Sequence, residues 1–379
     1  MIRNSIHGEA DARFASASDH FDESFADGTE VGASFAVMLE GQPVVDLWGG
    51  WADEARTRPW ERDTIINLFS TTKTMAALVA LLLADRGEID FDAPVARYWP
   101  EFAAAGKGGV RISHIMSHSS GLYGWKETVS LDDLYDWDKM TTLLAAQRPH
   151  WEPGTASGYH GLTQGYLIGE VVRRVTGVTL GRFFHDEIAE PLGADFHIGL
   201  GEEHDVRVAD VIPPPPDTKL GGIEPTPLME ELGLNPPNNP LATRTRAWRA
   251  AEIPAAGGHG NARSVAAIQS ILANGGYANG KSFLSEAGCR KALEVQVEGT
   301  DLVLGIPVRF GLGFAVAGEI IDLPSPNSIF WGGYGGSLVI VDFDRRASIA
   351  YAMNRMGTAI MGDPRAMALA DRVFEVLPR

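Results

Sequence analysis

Two apolar, β-rich runs lie near the start of the chain, Ala33–Leu39 (ASFAVML) and Val44–Trp48 (VVDLW), separated by Glu40-Gly41-Gln42-Pro43. That pattern predicts a hairpin. The last hundred residues have the same texture, with strands predicted over Phe310–Val316, Ser337–Phe343 and Ala347–Met353, the last two parted by Asp344-Arg345-Arg346. From Pro364 to Leu377 the apolar residues Met367, Leu369, Val373 and Val376 recur at helical spacing, which predicts a helix packed on that sheet. Between the ends the periodicity is helical, clearest over Thr72–Arg86, Leu131–Gln147, Leu162–Val175 and Ser264–Asn274, with Gly87 and Gly177 just past the first and third. Nine prolines between Ile212 and Pro240 argue against a helix or central strand there and predict a long ordered loop that lines a site. Strands at both ends and helices between predict an α+β fold: one antiparallel sheet built from both chain ends, flanked by helices. The expected α/β part is residues 1–65 plus 255–379 and the inserted helical part, with the Pro-rich loop, residues 66–254, all one unit with its site in the cleft.

Composition narrows the function. At 379 residues with 45% hydrophobic and 21% charged residues, the chain has the makeup of a folded globular protein. Its net charge of -17 is the wrong sign for neutralising phosphates, so neither nucleic acid nor an anionic membrane is an expected partner. Cys289 is the single cysteine, which excludes an intramolecular disulfide and a zinc site built on several thiolates. The longest apolar run, Met75–Ala84, is about half a bilayer span and reads as a core helix. Met1–Phe14 (MIRNSIHGEADARF) has no apolar stretch of secretory type, so a cytoplasmic location is expected.

The sharpest chemical feature is Phe69-Ser70-Thr71-Thr72-Lys73, a serine at the start of an apolar helix with a lysine three residues on. Positions i and i+3 share a helical face. Serine at a helix start is ordinarily an N-cap, and S-x-x-K alone is a weak pattern. Lys73, however, leads into Met75–Ala84 with no acidic neighbour, and a lysine in low dielectric loses proton affinity and can serve as a base toward a nearby hydroxyl. The helix start also offers N–H groups to a developing oxyanion. Two further segments share this character. Trp151–Gly161 (WEPGTASGYHG) is turn-rich and presents Tyr159 before a helix, and Phe330–Ser337 (FWGGYGGS) has glycines suited to close approach of backbone to a ligand.

In this order and spacing the three segments resemble the motifs of the serine β-lactamase and penicillin-binding-protein superfamily, and within it the family VIII bacterial carboxylesterases related to class C β-lactamases. LLLADRGEIDF (Leu81–Phe91), His118–Leu122 (HSSGL) and Gly257–Asn261 (GGHGN) agree, so the resemblance runs from about Ser34 to the end. It implies a β-lactamase-like fold, no metal or cofactor, and a serine hydrolase acting on a small ester. Ser70 is then the nucleophile, Tyr159 the general base with Lys73 assisting, and the N–H groups of Ser70 and Tyr334 the oxyanion hole. Tyr123, His160, Trp331, Gly332 and Gly333 are the expected substrate contacts. Which of Lys73 and Tyr159 is deprotonated at rest is left open. The chain departs from β-lactamases in having Tyr159-His160-Gly161 for Tyr-x-Asn and Trp331-Gly332-Gly333 for Lys-Thr-Gly. It thereby loses an amide and a cation that would hold a β-lactam.

The expectation is a carboxylesterase for short-chain acyl esters, with acyl transfer to alcohols as a side or main activity. A β-lactamase or D-alanyl-D-alanine peptidase is the alternative with the same chemistry, and a non-catalytic sensor on the same scaffold the alternative without it. Three features read as bland. Gly32–Ala36 (GASFA) is a near miss to a nucleophile elbow inside a predicted strand, His114 and His118 form an i, i+4 pair with no third ligand, and Asp136-Trp137-Asp138 reads as a solvated helix face.

Overall fold

The computed structural model describes residues 6–215, 218, 221, 224–318, 321–359 and 361–377. The apolar β-rich runs at the two chain ends pair with each other. Nine strands, β1 (Ile6–Ala10), β2 (Gly32–Leu39), β3 (Gln42–Gly50), β4 (Val297–Thr300), β5 (Pro307–Phe310), β6 (Ala315–Val316), β7 (Ser328–Gly332), β8 (Leu338–Asp342) and β9 (Ala347–Met353), form one sheet in the order β1-β3-β2-β9-β8-β7-β6-β5-β4. Every pairing is antiparallel, and the two ends meet at β2 and β9, with Ala33 opposite Met353 and Leu39 opposite Ala347. Phe310–Val316 is two strands rather than the single one expected, because the chain reverses between them and pairs Phe310 with Ala315.

The principal helices are α1 (Ala15–Ala26), α2 (Thr72–Asp85), α3 (Trp137–Ala146), α4 (Thr163–Thr176), α5 (Pro227–Leu234), α6 (Ala262–Ala273) and α7 (Pro364–Val376). Ser34 Oγ accepts the N–H of Ala262 at the start of α6, whereas the next residue, Phe35, packs against Phe21 of α1. Successive strand side chains point to opposite faces, so α6 covers one face of the sheet and α1 the other. Helix α7 packs against α1. Helix α2 is apolar all round, and every residue from Thr72 to Leu83 is buried. None of the described helices is long and apolar enough to cross a membrane.

Two expectations need correction. Leu131–Gln147 is not one helix: a short turn, Asp132–Tyr135, precedes α3, because Asp136 leaves helical geometry and caps α3 by accepting the Lys139 N–H at 3.0 Å. Asp136 and Asp138 are exposed, but Trp137 packs on Tyr166 with ring centroids 5.1 Å apart and donates to Glu170 Oε2 at 2.9 Å. The Pro-rich stretch, expected to exclude a helix, contains α5. Pro227 occupies the first turn, where a missing N–H breaks no bond, and Thr226 caps the helix by accepting the Met229 N–H at 3.0 Å. Residues 216, 217, 219, 220, 222 and 223 of that stretch lie outside the described residues.

Candidate active site

Ser70 does not cap its helix. It lies in a tight turn, Phe69–Thr71, that feeds α2, and the start of α2 carries no side-chain cap. Its Oγ is instead hydrogen-bonded to Tyr159 Oη at 2.6 Å and to Lys73 Nζ at 3.1 Å. Phe69, just before it, has φ +44°, a left-handed conformation unusual for a bulky residue and of the kind found at functional sites. Asn67 supports this turn, donating to Ala256 O at 3.1 Å while its Oδ1 accepts the Phe69 N–H at 3.4 Å.

Lys73 Nζ donates to Gly161 O at 2.7 Å and Ala255 O at 2.9 Å, and no carboxylate among the described residues pairs with it. Burial alone pushes its pKa well below the ordinary lysine value. A neutral amine has two N–H bonds and one lone pair. The two carbonyls use the N–H bonds, which leaves the lone pair facing the Ser70 hydroxyl.

Tyr159 lies on the wall of the cleft, partly exposed, with Lys73 Nζ 5.0 Å from its ring centroid. Desolvation raises its pKa above the usual tyrosine value. The Asp301 carboxylate adds to that rise, and the Ser70 hydroxyl and Trp331 indole oppose it. Burial thus disfavours the charged form of both groups, the ammonium of Lys73 and the phenolate of Tyr159. Asp301, which sequence reasoning missed, is fully buried and anchors the segment: its Oδ1 accepts the N–H groups of Tyr159 (3.1 Å), Val303 (2.9 Å) and Leu304 (2.8 Å), and its Oδ2 the Ser157 hydroxyl (2.5 Å). An aspartate ahead of a turn is a common local signal, but its reach to Tyr159 is tertiary.

The glycine-rich turn after β7 closes the site. No hydrogen bond among the described residues takes the backbone N–H of Ser70 or of Tyr334. Ser337 Oγ donates to Leu68 O at 3.1 Å and is bonded to Thr71 Oγ1 at 2.9 Å, tying this turn to the turn that holds Ser70. A Cβ at Gly333 would sit 2.2 Å from Leu68 O, so only glycine permits the approach.

Above Ser70 is a cavity of about 270 Å³. Trp331, Gly332 and Tyr334 line it with Phe69, Tyr159 and Phe310, and α5 and the segment after it supply Met229, Leu232 and Pro236 to Asn239. The Pro-rich stretch thus lines the site. None of the described side chains that line it is charged. Three expected contacts are not on its wall. Tyr123 is buried between the rings of His150 (4.5 Å) and Trp151 (5.9 Å). His160 is buried behind Tyr159 with its ring bonded to Ser120 Oγ (2.7 Å) and Gly158 O (2.6 Å), and Gly333 is turned against Leu68. His118, read as structural, has Nδ1 accepting the His160 N–H at 3.0 Å and its ring stacked on Trp331 at 5.4 Å, while His114 bonds to Arg111. Ser34 faces α6. The one described group dense enough for a cation, His185, Asp186 and Glu190, is at the surface, where Arg182 already engages Asp186.

An antiparallel sheet assembled from both chain ends, with an S-x-x-K helix buried beside it, is the architecture of the serine β-lactamase and penicillin-binding-protein class. The chain belongs to the beta-lactamase family, whose model matches residues 17–373. The esterase/beta-lactamase LipL of Mycobacterium tuberculosis is 36% identical over 366 residues, 93% of this chain and 83% of that protein. A crystal structure of a family VIII carboxylesterase superposes with a TM-score of 0.93 at 43% identity, covering 98% of this chain and 100% of that one. A penicillin-binding protein homologue from Caulobacter crescentus gives 0.92 at 39%, with the same coverage.

Proposed function

We propose that the protein is a serine carboxylesterase that hydrolyses short-chain, uncharged acyl esters through an acyl-enzyme, with alcohols as alternative acyl acceptors. The observation that carries this reading is the cavity over Ser70, apolar and without a charged side chain among the described residues, with Trp331 where a β-lactamase would place a cation. The names of LipL and of the family VIII carboxylesterase support it.

In this mechanism Lys73 takes the Ser70 proton as Oγ attacks the ester carbonyl, and the N–H groups of Ser70 and Tyr334 receive the oxyanion. Tyr159 donates its proton to the departing alkoxide, leaving a phenolate beside the Lys73 ammonium. Water then enters, the phenolate removes its proton, and the hydroxide attacks the acyl carbonyl. Ser70 departs with the proton that Lys73 held, which restores all three groups. In this scheme Tyr159 is an acid first and a base second and Lys73 is the base of the acylation step, whereas the resemblance implied Tyr159 as the base with Lys73 assisting.

β-Lactam or D-alanyl-D-alanine hydrolysis is the second reading, favoured by the names of LipL and of the Caulobacter homologue. Turnover of p-nitrophenyl esters from acetyl upward, run beside a chromogenic cephalosporin, decides between them. Ester kcat/KM at least about 100-fold above that for the cephalosporin, a margin of the size one well-placed polar contact sets, is expected, and the reverse order overturns the proposal. A cytoplasmic location, with no nucleic-acid or membrane partner, belongs to the same reading and is supported by the lone buried Cys289 and the net charge of -17.

A further inference from the structure

The N–H of Tyr334 has no hydrogen-bond partner among the described residues, so its direction is set by what holds the backbone on either side. On one side the Gly333 N–H donates to Ser337 O at 2.8 Å. On the other the Gly335 carbonyl accepts two donors, the Gly357 N–H at 2.7 Å and Arg365 Nη2 at 3.1 Å. Arg365 comes from the first turn of α7, and its remaining N–H groups are all engaged. Nη2 and Nε bond to Asp363 at 2.9 and 3.0 Å, and Nη1 bonds to Arg355 O at 2.9 Å and Glu30 Oε2 at 3.2 Å. Glu30 and Asp363 are buried, and Tyr351 of β9 donates to the other oxygen of Glu30. The turn lies directly on this cluster: Gly336 has φ +122°, and a Cβ there would fall 2.3 Å from Asp363 Oδ2 and 2.9 Å from Arg365 Nη2.

Buried ion clusters add little net stability over an apolar packing of the same volume, and their best-attested value is in fixing one geometry. Here the planar fork of the guanidinium joins five oxygen atoms of four residues, which no neutral side chain could join together. We propose that Arg365 is a positioning residue for the reaction, holding the Gly335 carbonyl so that the Tyr334 N–H points at the oxyanion formed on Ser70. The inference rests on the esterase reading and adds a residue to it that touches neither substrate nor the reacting atoms.

The test compares wild type, Arg365→Ala and Arg365→Lys with p-nitrophenyl butyrate and with an alkyl trifluoromethyl ketone, whose adduct on a serine carries an oxyanion. Arg365→Ala is expected to lower kcat by about 10- to 100-fold, less than outright loss of an oxyanion donor, with KM within about threefold. Ki for the ketone should rise in the same proportion as kcat/KM falls. Added guanidinium should restore part of kcat, since a cavity of about 630 Å³ lined by Gly357, Asp363 and Arg365 gives it a way in. Arg365→Lys, which keeps the charge and loses the fork, carries the same test should the alanine variant fail to fold. A variant that loses activity with unchanged Ki has merely lost folded protein, and that result overturns the proposal, as does wild-type kcat. Hydrogen exchange supplies a readout free of substrate: the amides of Gly333, Gly336 and Gly357 should exchange faster in Arg365→Lys, while those of α6 stay unchanged. If wild type hydrolyses no ester, the esterase reading falls, and unchanged exchange at those amides would overturn the positioning role by itself.

Discussion

Lys73 and Lys107 are both buried among backbone carbonyls with no carboxylate partner among the described residues, and they differ in one contact. Lys107 Nζ donates to Ala104 O (2.8 Å), Ala145 O (2.8 Å) and Gln147 O (2.5 Å), three acceptors for the three hydrogens of an ammonium. Burial lowers its pKa only to about 8, so it stays charged at neutral pH and pins the end of α3 to the loop before it. Lys73 has two carbonyls, and its third partner is the Ser70 hydroxyl, which has a proton to give. A third carbonyl makes a buried lysine a clamp, and a hydroxyl in that place makes it a base.

The strongest way to break this contrast is at the two ends of the Ser70–Lys73 contact. Ser70→Ala should abolish ester hydrolysis and fluorophosphonate labelling, whereas Ser34→Ala, facing α6, should leave most of both, and a label found on any peptide without Ser70 would refute the assignment. Lys73→Met should cost kcat at least about 100-fold, the lower end for general acid-base catalysis, and it should also lower stability, since the carbonyls of Gly161 and Ala255 lose their donor. Lys107→Met should affect stability alone. It should keep kcat and lose about 3 kcal/mol of stability, with three buried carbonyls left unpaired, as urea unfolding would show.

Tyr159→Phe sharpens the division of labour, because the ring stays and the proton relay goes. We expect kcat to fall at least about 100-fold, with an acyl-enzyme accumulating that mass spectrometry can detect. Near-normal turnover would return both proton transfers to Lys73. Activity should require neutral Lys73 and protonated Tyr159. Thus kcat/KM should rise through an acid limb set by the lowered Lys73 pKa and decline only above the usual tyrosine range.

The pH dependence of stability separates the lysines more gently. Between about pH 8, the folded value for Lys107, and its ordinary 10.5 the unfolded chain binds more protons than the folded one, so stability should rise with pH across that window. Lys107→Met should flatten that part of the slope. Trp331→Lys is the mildest change expected: a few-fold lower ester turnover, with a buried unpaired cation, and a higher relative rate on carboxylate-bearing lactams. An unchanged ester-to-lactam ratio would show that the indole sets no selectivity.

What could be read from the sequence was what is local. Ser70 and Lys73 meet because i and i+3 share a helical face, and β9 was legible to the residue because it is a short, nearly continuous apolar run bounded by the charged turn Asp344-Arg345-Arg346. Tyr159 was found only through the resemblance, since nothing within its own segment places it against Ser70. His160 was misplaced by its adjacency to Tyr159, because neighbours in an extended stretch point to opposite sides. Helix α5 was hidden because proline count is a poor guide where one proline sits in a helix's first turn. Asp301 and Arg365 left no trace, as each acts on a backbone group distant along the chain.

The join of β2 to β9 sets a timetable for synthesis. Residues 33 and 353 lie opposite each other, and at roughly 5–20 residues per second a ribosome delivers the second tens of seconds after the first. Through that interval the nascent chain already carries Ser70, Lys73 and, later, Tyr159, but the turn bearing Tyr334 has not been made. The incomplete protein is chemically silent, and β2 waits with an apolar edge open to pairing with another chain.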